Sequence, residues 1–141
     1  MPKIIAMNRR GKFDYEMLDT YEAGLALTGP EIKGIRSGQV ELQGSYARPL
    51  GSELFWIGGH IKVTDGDPQR SRKLLLHRAE IDELLGKLNE KRLTLIPLSI
   101  YLEKGRAKLE LGLGRHRKSH DKRELIKQRD IERDLKRATR P

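Results

Sequence analysis

The 141-residue chain contains no cysteine, which excludes a disulfide framework, a thiolate nucleophile and a zinc–thiolate site. That absence fits a reducing cytoplasm. No uninterrupted apolar stretch approaches the roughly 18 residues that a membrane span requires. The opening Met-Pro-Lys-Ile-Ile-Ala-Met-Asn-Arg-Arg holds an apolar run of only a few residues, so a soluble, unexported, cytoplasmic protein is expected. No internal repeat is visible, and nothing before residue 115 is low in complexity. Nucleophile patterns are missing too. Ser45, Ser52, Ser71 and Ser99 stand outside any nucleophile elbow, and nothing joins a nucleophile to a base and an orienting acid. Gly112-Leu113-Gly114 lacks the following amphipathic helix of a dinucleotide fingerprint and is expected only to end a strand.

What the chain does have is positive charge, unevenly placed. The net charge is +9, and residues 115–141 carry eleven Lys/Arg against five Asp/Glu, whereas the preceding 114 residues carry eighteen against fifteen. About two thirds of the net charge therefore lies in one fifth of the chain. The tail's apolar residues, Leu125, Ile126, Ile131, Leu135 and Ala138, are too few and scattered to bury a face. Such a segment suits a partner with dense negative charge that orders it on contact, and a nucleic-acid backbone is the commonest such partner. The other reading is a solvated, disordered basic tail. The body of about 110 residues is long enough to close a single core.

Along that body, residues 13–19 and 21–28 show strand patterns, the second with Ala23, Leu25 and Leu27 in period two. Gly29-Pro30-Glu31 reads as a helix start, because proline's fixed φ suits the first helical position and an early carboxylate meets the positive end of the dipole. Ser37-Gly38 stops that helix, residues 40–48 and 53–63 read as strands, and Asp65-Gly66-Asp67-Pro68 marks a turn. Residues 77–91 form the clearest helix, with Ile81, Leu84, Leu85 and Leu88 at helical spacing. Residues 93–102 and the alternating Ala107, Leu109, Leu111 and Leu113 form a hairpin about Lys104-Gly105. Six short strands, two or three helices and glycines at 10% of the chain predict a mainly β, small OB-like barrel, with Gly24, Gly44, Gly58 and Gly59 at its bends. The predicted division is a barrel over residues 1–114 and a basic C-terminal tail over residues 115–141.

Candidate chemistry and candidate binding are weighed on the same residues. Asp65 and Asp67 could place two carboxylates on a divalent cation, but they lie in a turn whose side chains commonly bond their own backbone, and no third acid is near. His116 and His120 stand four apart, a zinc-compatible spacing, but the interleaved Arg117 and Lys118 repel a cation and favour a role against phosphate or base. No metal, cofactor or catalytic residue is expected. The body's cations are better organised: Lys33 and Arg36 lie one turn apart on the short helix, Arg70, Arg72 and Lys73 cluster before Leu74, and Arg106 and Lys108 alternate outward on the last strand. Together they predict an RNA-binding surface that reads shape more than sequence. Glu31 cannot neutralise phosphate and is expected to accept a hydrogen bond from a base or a ribose hydroxyl.

Ordered blocks of the chain then resemble a known family. Asn8-Arg9-Arg10, Asp14-Tyr15, Thr20-Tyr21-Glu22-Ala23-Gly24, Leu27-Thr28-Gly29-Pro30-Glu31-Ile32-Lys33, Ser45-Tyr46-Ala47, His60-Ile61, residues 72–78, Gly105-Arg106-Ala107-Lys108 and Asp121-Lys122-Arg123 look like those of the small protein B (SmpB) family. The match runs in order from about residue 4 to the end of the tail. It implies an adaptor of bacterial trans-translation, not a catalyst. The adaptor binds the tRNA-like domain of transfer-messenger RNA (tmRNA) and brings its alanine-charged form to stalled ribosomes. It further implies that the tail, disordered when free, enters the empty mRNA channel beside the small-subunit decoding site and becomes helical there. On that resemblance Arg117 and Lys118 join the RNA-binding set. His120 is placed to stack on a decoding-site base, beside Asp121, while Lys122, Arg123, Lys127, Arg129 and Arg133 hold ribosomal RNA. A monomer without a membrane partner is expected. The chain departs from the family pattern at Phe13, where His is usual, at Pro30 and His116, where Thr and Gly are usual, and in a shorter 62–71 stretch. The alternatives are a ribosomal protein or initiation-factor-like barrel and, in another class, a metal-dependent RNA-processing enzyme using Asp65 and Asp67.

Overall fold

The computed structural model describes residues 2–89 and 93–139. Three long strands carry most of it: β2 (Tyr15–Leu25), β8 (Leu93–Glu103) and β9 (Arg106–His116), joined with β4 (Tyr46–Leu50), β5 (Glu53–Ile57) and β7 (Arg72–Leu75). The order β8-β4-β5-β7-β2-β9, with β9 pairing back onto β8, closes a ring of six strands. Closure leaves no open sheet edge within the ring. Strand β1 (Lys3–Met7) adds outside, antiparallel to β8, and β3 (Val40–Glu41) and β6 (His60–Ile61) form a separate two-stranded sheet. The expected mainly β, OB-like barrel is present.

The inner faces follow the period-two pattern. Leu54, Trp56, Leu74, Leu95, Ile100, Leu109 and Leu111 are fully buried. Trp56 keeps its polar edge satisfied: its indole N–H donates to Ser45 Oγ at 2.9 Å, and that hydroxyl donates to the Leu42 carbonyl at 2.6 Å. Gly59 has to be glycine, because a Cβ there would lie 2.0 Å from the Trp56 ring. The β8–β9 hairpin turns at Lys104 and Gly105, both at positive φ (51° and 76°), as a two-residue type I′ turn requires. Pro97 lacks an N–H for the ladder, and the β8–β9 register shifts between Pro97 and Ser99.

Helices plug the flanks. In α2 (Gly29–Arg36) the Thr28 hydroxyl accepts from the Glu31 N–H, and the Glu31 carboxylate accepts from the Thr28 N–H at 2.9 Å, a capping box that explains where the helix starts. Helix α3 (Arg78–Leu88) buries Ile81 and Leu84; it is shorter than the predicted 77–91, and Lys91 lies outside the described residues. Helix α4 (Ser119–Thr139) carries the basic extension.

Several boundaries differ from the sequence expectation. Residues 13–19 and 21–28 are not two strands. Arg9–Asp14 form a helix, α1, and residues 15–25 are one continuous strand. Asn8 decides this, capping α1 by accepting from the Gly11 N–H at 2.9 Å while its own amide donates to the Pro97 carbonyl at 2.9 Å. The predicted strand over 40–48 is β3 and β4, and that over 53–63 is β5 and β6, broken by turns at Gly44 and Gly58, both at positive φ. Residues 72–75, read as a basic cluster, form β7. Gly112-Leu113-Gly114 lies inside β9, which continues to His116 through the pairs Glu16↔Arg115 and Tyr15↔His116.

Candidate nucleic-acid interface

The expected site residues separate into an internal pair, a surface set and the tail. Glu31 and Arg72 are internal, with side chains 3% and 0% exposed. Strand parity places Arg72 on the same inward face as Leu74, leaving Lys73 outside. Its Nε donates to Glu31 at 2.5 Å, its terminal nitrogens donate to the Gly59 and Pro68 carbonyls at 2.9 and 2.8 Å, and its guanidinium lies 5.2 Å from the Trp56 ring centroid. Arg70 completes the cluster, donating to the other Glu31 oxygen at 2.7 Å. This is a correction. Glu31 and Arg72 were expected to face RNA, but both Glu31 oxygens are taken and neither side chain is on the surface. The Asp65-Gly66-Asp67-Pro68 turn also bonds itself, with Asp67 accepting from the Gln69 N–H at 2.9 Å.

The electrostatics of this cluster are one-sided. Burial pushes the Glu31 carboxyl up, but hydrogen bonds from Arg70, the Thr28 backbone and Arg72 outweigh it and bring it down to about 2. A carboxyl lowered from an ordinary 4.5 contributes stability that is fully present above pH 4.5 and is lost as the pH falls through about 2. The contribution is up to about 3 kcal/mol. Urea unfolding between pH 6 and pH 3 is therefore expected to show a falling midpoint in the parent and a flatter acid limb in Glu31→Gln. Equal slopes would mean that the carboxylate is not held this way.

The surface set lies elsewhere. Lys33 and Arg36 are exposed on α2, and Lys73 is exposed on β7. Arg106 and Lys108 border a groove of about 380 Å³ with Gly24, Leu25, Leu27, Ile32 and Leu75 along its walls. Lys108 is not a free cation: its Nζ sits 2.8 Å from Glu22, which also accepts from the Tyr101 hydroxyl. Donation from Lys108 and Tyr101 holds the Glu22 carboxyl below its ordinary range, and Glu22 in turn raises Lys108. Arg106 has no such partner among the described residues. In the tail, Arg117 is half-buried, and Lys118, Arg123, Lys127, Arg129 and Arg133 are exposed, with Lys122 partly sheltered. The His120 and Asp121 side chains lie outside the described residues. Exposed Ile126 and Ile131 are not buried on the barrel.

Sequence reasoning missed Arg70 as a partner of Glu31, Glu22 as the partner of Lys108, and Asn8 as a structural latch. For Arg72 a signal existed, because Arg72 and Leu74 are two apart and share a face once the segment is taken as a strand.

A closed six-stranded barrel with exposed cations on several faces and a basic helical extension belongs to the oligonucleotide-binding class of barrels. The family model described as SmpB protein matches residues 5–141. The chain belongs to the SmpB family. It is 47% identical over 143 residues to an SsrA-binding protein of Acaryochloris marina, an alignment covering 96% of this chain and 93% of that one. It is 49% identical over 142 residues to an SsrA-binding protein of Chloroflexus aggregans, covering 96% and 90%. Among solved structures, it is similar to a chain from "tmRNA-SmpB: a journey to the center of the bacterial ribosome", at a TM-score of 0.66 and 47% identity, over 81% of this chain and 85% of that one.

Proposed function

We propose that this chain is a non-catalytic RNA-binding adaptor that holds the tRNA-like domain of tmRNA and brings it to stalled ribosomes in the cytoplasm, acting in trans-translation. The observation that carries the reading is near-full-length similarity to SsrA-binding proteins on a barrel whose net charge is concentrated in its extension. In this reading the body, through about residue 116, binds the tRNA-like domain, and the segment beyond it occupies the empty mRNA channel beside the decoding site. Lys33, Arg36, Lys73 and Arg106 supply phosphate contacts from the body. Glu31 and Arg72 act from inside, fixing α2, β7 and the loop carrying Pro68 relative to one another, so their contribution to RNA binding is to hold the surface in shape. No helix among the described residues is long and apolar enough to cross a membrane.

The direct test is equilibrium binding of the tRNA-like domain against bulk RNA of equal length over a salt series. The tRNA-like domain is expected to bind far more tightly. Arg106→Ala should lower the log–log salt slope by about 0.7–0.9, the value for one lost phosphate contact. Lys108→Ala should lower it less, because Glu22 already neutralises that lysine. Equal affinity for the two RNAs would reduce the protein to a general RNA-binding barrel.

A further inference from the structure

The geometry points to Phe13 and Asp14 as positioning residues that fix the direction in which α4 leaves the barrel, by a clasp on Lys122 and Arg129; the inference rests on the adaptor reading above. The Lys122 ammonium lies 3.0 Å from the Asp14 carboxylate, with the two side chains only 22% and 20% exposed. By contrast, the pair Lys127–Glu124 within α4 is 72% and 55% exposed at 3.9 Å, an open surface contact. The Lys122–Asp14 pair is sheltered and joins two elements that are far apart in sequence. Next to it, the Phe13 ring is surrounded by cations, with the Arg129 guanidinium 5.3 Å, the Arg10 guanidinium 5.5 Å and the Lys122 ammonium 6.0 Å from its centroid.

The spacing along α4 matches this contact. Lys122, Leu125 and Arg129 recur at i, i+3 and i+7 and so share one face, and Leu125 is half-buried while its neighbour Ile126 is exposed. The receiving end is itself fixed. The Asp14 carbonyl accepts from the Arg117 N–H at 2.8 Å, just past the end of β9, and its carboxylate also takes the Arg10 Nε at 3.1 Å. Burial pushes the Asp14 carboxyl up, but Lys122 and Arg10 outweigh it and lower it, so the carboxylate end of the pair is held charged. Only Arg117 and Lys118 separate β9 from α4, leaving little slack between barrel and helix. Direction matters because α4 is long. A 21-residue helix spans about 30 Å, so a 20° swing at its base moves the tip by about 10 Å. A tail that acted by charge alone would tolerate that swing, whereas one that must enter a channel would not.

The test is a charge swap read in three ways: peptide tagging on stalled ribosomes, equilibrium binding of the tRNA-like domain, and the distance distribution between spin labels on the barrel and on α4. Asp14→Lys and Lys122→Asp, each alone, are expected to cut tagging on the order of tenfold and to broaden the distance distribution, leaving RNA binding by the body within about twofold. The double variant should recover most of the tagging and the narrow distribution. Phe13→Ala, which leaves the Asp14 contacts in place, should broaden the distribution without changing the unfolding midpoint. If the swap is as defective as Lys122→Asp alone, Lys122 acts only on RNA and the clasp is overturned. An unchanged distribution in both Asp14→Lys and Phe13→Ala overturns it as well. Failure of the parent to tag would instead sink the adaptor reading, and the distance measurement would still decide the clasp.

Discussion

Ending the chain after Lys118 is expected to abolish peptide tagging on stalled ribosomes while leaving tRNA-like-domain binding and thermal stability close to the parent. Among the described residues, every member of the hydrophobic core lies at or before Leu113, so the truncation removes charge and helix without opening a cavity there. The cut has to respect β9. Stopping at Gly114, where the barrel was expected to end, would remove the pairs Glu16↔Arg115 and Tyr15↔His116, the edge-to-face contact of the Tyr15 and His116 rings and the Arg117–Asp14 hydrogen bond. Such a protein would confound a loss of tail function with a frayed strand. Thermal unfolding, RNA binding and tagging measured side by side on the Lys118 truncation separate the two. Normal tagging by the truncated protein would overturn the two-part mechanism.

Glu31→Ala should be among the most damaging single substitutions to stability, costing about 3–5 kcal/mol by leaving the fully buried Arg72 cation without its counter-charge. Against a typical total of about 5–15 kcal/mol, that brings the barrel close to its unfolding threshold. Arg70 cannot rescue it, since its charge has the same sign. Replacing Arg72 by Met in the same chain removes the stranded charge and should recover part of the loss, because a buried ion pair exchanged for apolar packing is often close to neutral. Urea midpoints of the parent, the single and the double variant measure this. If Glu31→Ala kept the parental midpoint yet lost RNA affinity, the carboxylate would be a surface contact and its burial would not describe its working state.

The same cluster shows what can and cannot be read from residues in a row. Barrel class, the hairpin at Lys104-Gly105 and the start of α2 were legible, because alternation of Leu109, Leu111 and Leu113 and the Pro30-Glu31 helix-start pattern are local signals. Helix α1 was not, since its existence depends on Asn8 bonding to Pro97, a partner 89 residues away. Arg72 was misjudged for a related reason. A cation beside other cations reads as surface, and only its inward place on β7 together with Glu31, 41 residues earlier, makes burial affordable. Lys108 was read correctly as outward-facing but not as neutralised, because Glu22 lies on the neighbouring strand. Pairing across strands is invisible until the register is known.

The closure of the ring also fixes when the protein can fold. Among the described residues, strand β1 has its ladder partner only in β8, and residues 15–23 of β2, apart from Leu18 at a bulge, have theirs only in β9, with Tyr15 opposite His116. During synthesis β1 and most of β2 therefore emerge with no sheet to join, and they wait until about a hundred residues or more have been made. Because such distant pairings must be closed before they are rewarded, folding should be slow for a chain of this size and completed late, as a single event in which β9 zips between β2 and β8. Until then the inward Tyr21, Ala23 and Leu25 of β2 are open to other chains, so growth temperature and folding assistance should affect yield of this protein more than its equilibrium stability suggests.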